Sequence, residues 1–522
     1  MSRRNALVIA AGAVLVVVVT ALGVVQLLPD DTAGTTDGGA QAAEAPPPSA
    51  TEVGDEFLAA FAAGDAAAAG ALTDAPDDAT AQLTEVWRSL APTSVTTSPG
   101  AYAEPVRAFT VTWTFGPDRT WTYDSALRLV EDGTWRVHWD PALVHPELTA
   151  AHTLSLRDQV GQPAVLDRDG KPLVAWTETG TTAAAPATAP LLLPGMGRVA
   201  GQAGWYVALT DAAGKDVAVL HGTRTPARKS TVSRPVQRAA QAAVDGQQLP
   251  AALVAIQPST GDILAVAQNS AMGGTPSALQ GLFPPGSTFK IATATALVEA
   301  GVADVDTVLP CPGSATIGQR TVRNAGFALG DVPLRTAFAQ SCNTTFAMQA
   351  GGLPGDALVR AANQLGAGAD FDIPGITTEI GAVPPAADTT QQVENSIGQG
   401  QVRMSPFGVA LMSATVAAGR PVTPRLWPDS PTTVTTGYDA PPAAVVGSLR
   451  TMMRAVVTTG RATDLAGLGA VHGKTGTAET DGSAHGWFTG YRDDVAFAVL
   501  VQDAGTSATA VTATKTFLTA LG

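Results

Sequence analysis

Along the chain, the rhythm of apolar and polar positions changes several times. Residues 6–28 are apolar apart from Thr20, Gln26 and the glycines. A helix over that run is about 35 Å long at ~1.5 Å per residue, enough to cross a bilayer. Residues 29–50 are mostly Asp, Thr, Gly, Ala and Pro, with Pro46-Pro47-Pro48 near the end, which predicts a linker. Phe57, Leu58 and Phe61 then recur at helical spacing, followed by Gly64 and Asp65. Phe109, Val111, Trp113 and Phe115 alternate with Thr110, Thr112 and Thr114. After Gly116-Pro117-Asp118, Trp121 and Tyr123 resume the alternation. After Glu131-Asp132-Gly133 it continues in Trp135, Val137 and Trp139. A period of two broken by turn residues predicts an antiparallel meander with an aromatic face, hence a small α+β unit over 51–146.

Signals are weaker over 151–235. Leu166 to Leu173 reads as a hairpin around Asp167-Arg168-Asp169-Gly170, and Thr177 to Pro190 is mostly Thr, Ala and Pro, so a connecting module is expected. From 236 to 522 the pattern is that of a larger α/β unit. Leu253–Ile256 and Ile263–Val266 are short apolar strands joined through Pro258-Ser259-Thr260-Gly261-Asp262. Near the end, Trp487–Tyr491 and Val495–Val501 form a hairpin around Arg492-Asp493-Asp494, and Thr506–Leu521 closes the chain as a helix. Strands at both ends with helical segments between them predict one sheet assembled from distant parts, with a helical region inserted. The fold class is multidomain α+β.

Composition narrows the compartment and the partners. The chain has 522 residues, so several domains are expected, and 45% hydrophobic against 15% charged residues allows large cores. A net charge of −14 without a concentrated basic face argues against nucleic acid. Arg3 and Arg4 before the apolar run, and Asp30 and Asp31 after it, predict a cytoplasmic stretch 1–5, a retained single-pass anchor 6–28 in the cell membrane and an extracytoplasmic body. The Ala40–Ala42 A-x-A lies well beyond the apolar run, which disfavours a cleaved signal peptide. Two cysteines occur, Cys311 and Cys342; outside the membrane they are free to form a disulfide, and two free buried thiols are the alternative.

Three short motifs carry chemistry. Ser287 and Lys290 sit three residues apart at an expected helix start, so they share a face. A serine hydroxyl is nearly inert at neutral pH, and a neutral amine beside it can take its proton. Ser341-Cys342-Asn343 lies in a stretch, Leu334 to Ala350, that looks helical on both sides. Lys474-Thr475-Gly476-Thr477 precedes the Trp487 hairpin, where a strand is expected. Two of the chain's six lysines are used by these motifs. No H-E-x-x-H or paired C-x-x-C occurs, so no metal or other cofactor is expected. His472 and His485 flank the third motif and read as local packing or surface polarity.

In this order the three motifs resemble the signature of the penicillin-binding proteins and serine β-lactamases. Gln257 to Ala265 is similar to the first hairpin of their transpeptidase domains. Gly398-Gln399-Gly400 with Ser405-Pro406, and Lys474–Glu479 followed by Gly486–Tyr491, are similar to further segments. The resemblance covers 236 to the C-terminus. Leu166–Leu173 is a looser match to the pedestal module of class B members. The 51–146 unit resembles the nuclear-transport-factor-like domain of methicillin-resistance-type class B proteins.

The resemblance implies a role for each motif residue. Ser287 is the nucleophile and Lys290 its general base. Ser341 bridges the two lysines and passes a proton to the leaving group. Asn343 orients the substrate amide, and Lys474 and Thr475 receive the donor's carboxylate. Gly476 allows close approach, and the backbone N–H groups of Ser287 and Thr477 form the oxyanion hole. The implied reaction is D,D-transpeptidation of peptidoglycan stem peptides ending in D-Ala-D-Ala, with acylation by β-lactams and a SEDS-type glycan polymerase as partner. A β-lactam sensor or scaffold and a D,D-carboxypeptidase are the alternatives. A β-lactamase is disfavoured because Glu379 and Glu394, the only glutamates between Thr344 and Gly473, do not fit the deacylating E-x-x-L-N pattern.

Overall fold

The computed structural model describes residues 47–184 and 189–522. The expected cytoplasmic stretch 1–5, the membrane span 6–28 and most of the linker 29–50 lie outside the described residues. Among those described, no helix is long and apolar enough to cross a membrane.

The N-terminal unit begins with a helix, Ala50–Ala63, whose ends are written locally. Ser49 accepts from Glu52 N, Glu52 reaches back to the Ser49 backbone, and Gly64 ends the helix at φ 76°. Two more helices, Ala66–Ala71 and Pro76–Leu90, follow. The four-stranded antiparallel sheet then runs Ser94–Ala103, Val106–Gly116, Arg119–Asp132 and Thr134–Val137, in sequence order. Trp113 faces Trp121 across the ladder, and both pack with Phe57 and Phe61 in one core. The Ser94–Ala103 strand escaped the sequence pattern because it is an edge strand with mostly exposed, polar residues and no apolar alternation.

Between residues 153 and 229 the chain forms two further sheets. One joins Thr153–Asp158, Trp205–Thr210 and Asp216–Gly222; the other joins Pro163–Leu166, Pro172–Thr177, Gly180–Ala183 and Arg228–Lys229. Their buried side chains go to different cores. Leu154, Val207 and Leu209 join the N-terminal core, while Val165, Val174 and Trp176 join the C-terminal one. The Thr/Ala/Pro tract includes a paired strand, Gly180–Ala183.

The C-terminal unit is built on five antiparallel strands. In chain order these are β1 (Ala251–Ile256), β2 (Ile263–Gln268), β3 (His472–Thr480), β4 (Ser483–Arg492) and β5 (Val495–Val501), arranged β2-β1-β5-β4-β3. The strand after the long helical insertion therefore pairs with the strand before it, Leu253 opposite Val499. Every residue of β1 and β2 is buried, as the continuous apolar runs require when both faces are covered. Helices α1 (Arg234–Asp245) and α7 (Ala508–Leu521) pack together on the sheet. Helix α5 (Pro406–Ala418), packed on β1, β4 and β5 without meeting α1 or α7 closely, covers the other face. Ser405 caps α5 through Gly408 N at 2.9 Å and Gly419 ends it at φ 68°. The inserted region supplies α2 (Lys290–Glu299), α3 (Leu334–Ala339), α4 (Asn343–Ala350) and α6 (Ala443–Thr458), and leaves β3 as the open edge of the sheet.

Candidate active site

Ser287 lies in a 3-10 turn, Gly286–Phe289, that runs directly into α2, so Lys290 is the first residue of the α-helix. The α-helix therefore starts one turn later than the motif alone predicts, because the turn is held by two distant segments and by a bond of its own. Gly286 N donates to Gly398 O at 3.0 Å, Trp487 Nε1 donates to Pro284 O at 3.0 Å, and Thr288 Oγ1 donates to Pro285 O at 2.8 Å. Gly286 has φ 52°, and a Cβ there would lie 2.4 Å from Thr477 O. At Gly476 a Cβ would lie 2.8 Å from Pro285 O and from Thr288 Cγ2. Glycine at these two positions lets the edge strand β3 lie directly against the serine turn.

The second motif occupies the break between α3 and α4. Ser341 is non-glycine at φ 61°, a left-handed conformation that costs about 1–2 kcal/mol. This turns its hydroxyl between the two motif lysines. Lys474 Nζ donates to Ser341 Oγ at 3.0 Å and to Thr475 O at 2.8 Å. Lys290 Nζ donates to Ser341 O at 2.9 Å and Asn343 Oδ1 at 2.7 Å, and lies 3.4 Å from Ser341 Oγ. Among the described residues no hydrogen bond joins Lys290 to Ser287. Cys311 and Cys342 are joined by a disulfide, which ties this motif to the strand Val308–Cys311.

Both lysines are fully buried, at 0% exposure. Burial, and then the facing Lys474, hold the Lys290 amine well below its ordinary range. Burial, and then Arg461, push Lys474 down to about 7. Phe346 and Phe338 lie under the two ammonium positions, with ring centroids 5.4 and 5.5 Å away. In the neutral form Lys290 would turn its lone pair toward Ser341 Oγ, 3.4 Å away. A neutral amine has two N–H donors, and both are taken by obligate acceptors, Ser341 O and Asn343 Oδ1.

These segments open into a cleft of about 560 Å³, lined by Ser287, Ser341, Asn343, Thr475 and Thr477. Residues outside the three motifs also line it, among them Arg320, Arg323, Asn324 and Arg461. Nothing in periodicity or spacing marks these, since they sit on a short hairpin and a loop. His472 stacks on Tyr491 with centroids 4.6 Å apart, and His485 meets the Phe283 edge at 5.7 Å, so both act in packing. Among the described residues no cluster of His, Cys, Asp or Glu is arranged to hold a metal.

Three distant segments thus bring a cleft-lining serine and a pair of fully buried lysines together around Ser341. The family model for the penicillin binding protein transpeptidase domain matches residues 251–521, and the chain belongs to that family. The model for the NTF2-like N-terminal transpeptidase domain matches 49–152. Among curated proteins, peptidoglycan D,D-transpeptidase PbpA of Mycobacterium tuberculosis is 31% identical over 206 residues, covering 32% of this chain and 40% of that protein. PbpA of Mycolicibacterium smegmatis is 33% identical over 255 residues, 44% of this chain and 51% of that protein. The chain thus matches about half or less of these relatives' length. Among solved structures, penicillin-binding protein A of M. tuberculosis, in an imipenem acyl-enzyme complex, is 26% identical over 57% of this chain and 81% of that one, with a TM-score of 0.50. The D,D-transpeptidase domain of a peptidoglycan glycosyltransferase from Eggerthella lenta shares the fold at 22% identity, covering 69% and 98% of the two chains with a TM-score of 0.55.

Proposed function

We propose that the chain is a class B D,D-transpeptidase that cross-links peptidoglycan stem peptides through an acyl-enzyme on Ser287, and that β-lactams acylate the same serine. The observation that carries this reading is the sharing of Ser341 Oγ by two fully buried lysines, beside the cleft that Ser287 and Ser341 line. Lys290 takes the Ser287 proton on its lone pair as Oγ attacks the penultimate D-Ala carbonyl. The N–H groups of Ser287 and Thr477 stabilise the oxyanion. As the C–N bond breaks, the proton returns to the leaving D-Ala amine through Ser341. An amine of a neighbouring stem then attacks the ester and frees Ser287. Lys474 and Thr475 hold the donor's terminal carboxylate, and Asn343 the amide before the scissile bond.

In this reading residues 236–522 are the transpeptidase domain, 51–146 the nuclear-transport-factor-like domain and 151–235 a pedestal. Residues 6–28 anchor the protein in the cell membrane with its bulk outside, beside a SEDS-type glycan polymerase. The length of the apolar run and its charge asymmetry support the anchor; the polymerase rests on family analogy.

A fluorescent penicillin is expected to label the wild-type chain and not Ser287→Ala. Equal labelling of the two would overturn the assignment of the nucleophile. A D-Ala-D-Ala donor with an amine acceptor should yield free D-Ala and a cross-linked product. Acylation without D-Ala release would instead make the protein a sensor.

A further inference from the structure

The second motif is held by a residue that belongs to none of the three. Asn324 follows the short strand Arg320–Arg323 and is buried at 8% exposure. Its Oδ1 accepts from Asn343 N at 2.7 Å and from Thr344 N at 3.2 Å. These are the first two N–H groups of α4, which helix geometry leaves without partners inside the helix. The residue in the capping position, Cys342, has no side-chain cap bond, and its sulfur is committed to the disulfide. Asn324 therefore supplies from a distant segment the cap that α4 lacks. Its Nδ2 donates to Pro312 O at 2.9 Å and Thr344 Oγ1 at 3.2 Å, and lies 3.4 Å from both disulfide sulfurs. The neighbouring Arg323 O accepts from Asn343 Nδ2 at 3.0 Å. Thr344 and Thr345 hydroxyls donate to Pro312 O and Pro310 O at 2.7 and 2.8 Å.

These contacts converge on the proton path. Asn343 is fixed at its backbone N–H by Asn324 and at its side-chain amide by Arg323. Its remaining polar atom, Oδ1, accepts from Lys290. One residue back along the chain from Cys342, Ser341 is in its left-handed conformation. Side-chain networks of this kind constrain more than their separate bonds do. We propose that Asn324 is a positioning residue for acylation: by capping α4 beside the Cys311–Cys342 bond it sets Asn343 and Ser341 against Lys290, so that fixed acceptors hold the amine in place to take the Ser287 proton.

The proposal rests on the acylation reading above, and its test includes the wild type as the control for that reading. In the full chain, active sites are counted by fluorescent penicillin and the first-order acylation constant is separated from non-covalent affinity. Asn324→Ala is expected to lower the acylation constant per active site by at least tenfold, with affinity within about threefold of wild type. Asn324→Asp keeps the acceptor for Asn343 N and Thr344 N and should recover much of that rate.

The carboxylate that Asn324→Asp introduces would also favour the protonated form of Lys290, so the acidic limb of acylation should move to higher pH. The other charged groups facing this site are Lys474, Arg461, Arg323 and the Arg320–Glu394 pair, with Glu479 on the opposite rim, and none of them changes between the variants. A merely structural role predicts a lower melting temperature for both variants and an unchanged rate per active site; that outcome overturns the proposal. If Asn324→Ala does not fold, Asn324→Ser is read in its place, with the same fall in the per-site acylation constant expected and an unchanged constant overturning the proposal. A wild type that is not labelled would defeat the acylation reading itself.

Discussion

Lys290 and Lys474 share one hydroxyl, yet their surroundings separate their tasks. Lys290 faces a second cation across Ser341, and burial, then that charge, hold its amine well below its ordinary range. Lys474 is buried too, but its depression stops at about 7, with Arg461 as the neighbouring charge. Acylation should therefore rise with pH as the Lys290 side of the pair loses its proton, and fall again as Lys474 loses its charge, a bell whose two limbs belong to the coupled pair. Arg461 sits at the cleft wall with its guanidinium 4.6 Å from the Phe327 ring centroid. Replacing it by glutamine removes a positive charge, so the Lys474 pKa should rise. The alkaline limb of the acylation profile of Arg461→Gln is expected at higher pH than in the wild type, and a limb that stays or moves down would refute this electrostatic role.

At the scale of elements, the site depends on an edge strand lying against a tight turn. β3 has β4 on one side and the serine turn on the other, and Gly476 is the point of contact. Gly476→Ala would place a methyl 2.8 Å from Pro285 O, so the strand or the turn must shift. A displacement of ~1 Å between reacting groups costs on the order of a hundredfold in rate. The acylation constant of Gly476→Ala should fall by about that order while the protein remains folded, as stopped-flow acylation and circular dichroism would report; wild-type acylation would show that the strand adjusts at no cost. Gly398 belongs to the same contact, because a Cβ there would lie 1.9 Å from Gly286 O. The Gly398-Gln399-Gly400 segment thus serves by letting its backbone meet the serine turn.

Across the whole molecule, the stretch joining the two large units has no single core of its own. Its two sheets divide their buried side chains between the N-terminal and C-terminal cores, which makes it a mechanical link. Asp262 is central to the C-terminal half of that link. It is 6% exposed, accepts from Arg425 Nε at 2.5 Å and lies 3.8 Å from an Arg168 nitrogen in the linking module. Asp262→Ala would leave two guanidinium groups without their carboxylate. Because solvent reaches both, a loss of about 1–2 kcal/mol is expected. Thermal unfolding should begin at lower temperature, while penicillin labelling at low temperature stays within twofold of wild type. An unchanged unfolding transition would mean that the link is held by its backbone ladders alone.

Much of this was legible in the order of residues because the governing forces are local. The spacing of Phe57, Leu58 and Phe61 writes a helix, the alternation from Phe109 to Phe115 writes a strand, and the continuous apolar runs of β1 and β2 write strands. The three motifs, too, could be read from residue type and spacing. The tertiary structure alone decided how they act. The helix of the first motif starts at Lys290 because Gly398, Trp487 and β3 hold the preceding turn. The Cys311–Cys342 bond forms because a strand and a helix start, far apart in the chain, are packed together. Asn324 caps α4 from nineteen positions before Asn343, and no pattern in the chain announces it. The depressed lysines follow the same division: the residue type supplies an amine, but only burial near a second cation lowers its pKa, since desolvation and Coulomb repulsion depend on what surrounds a charge in space.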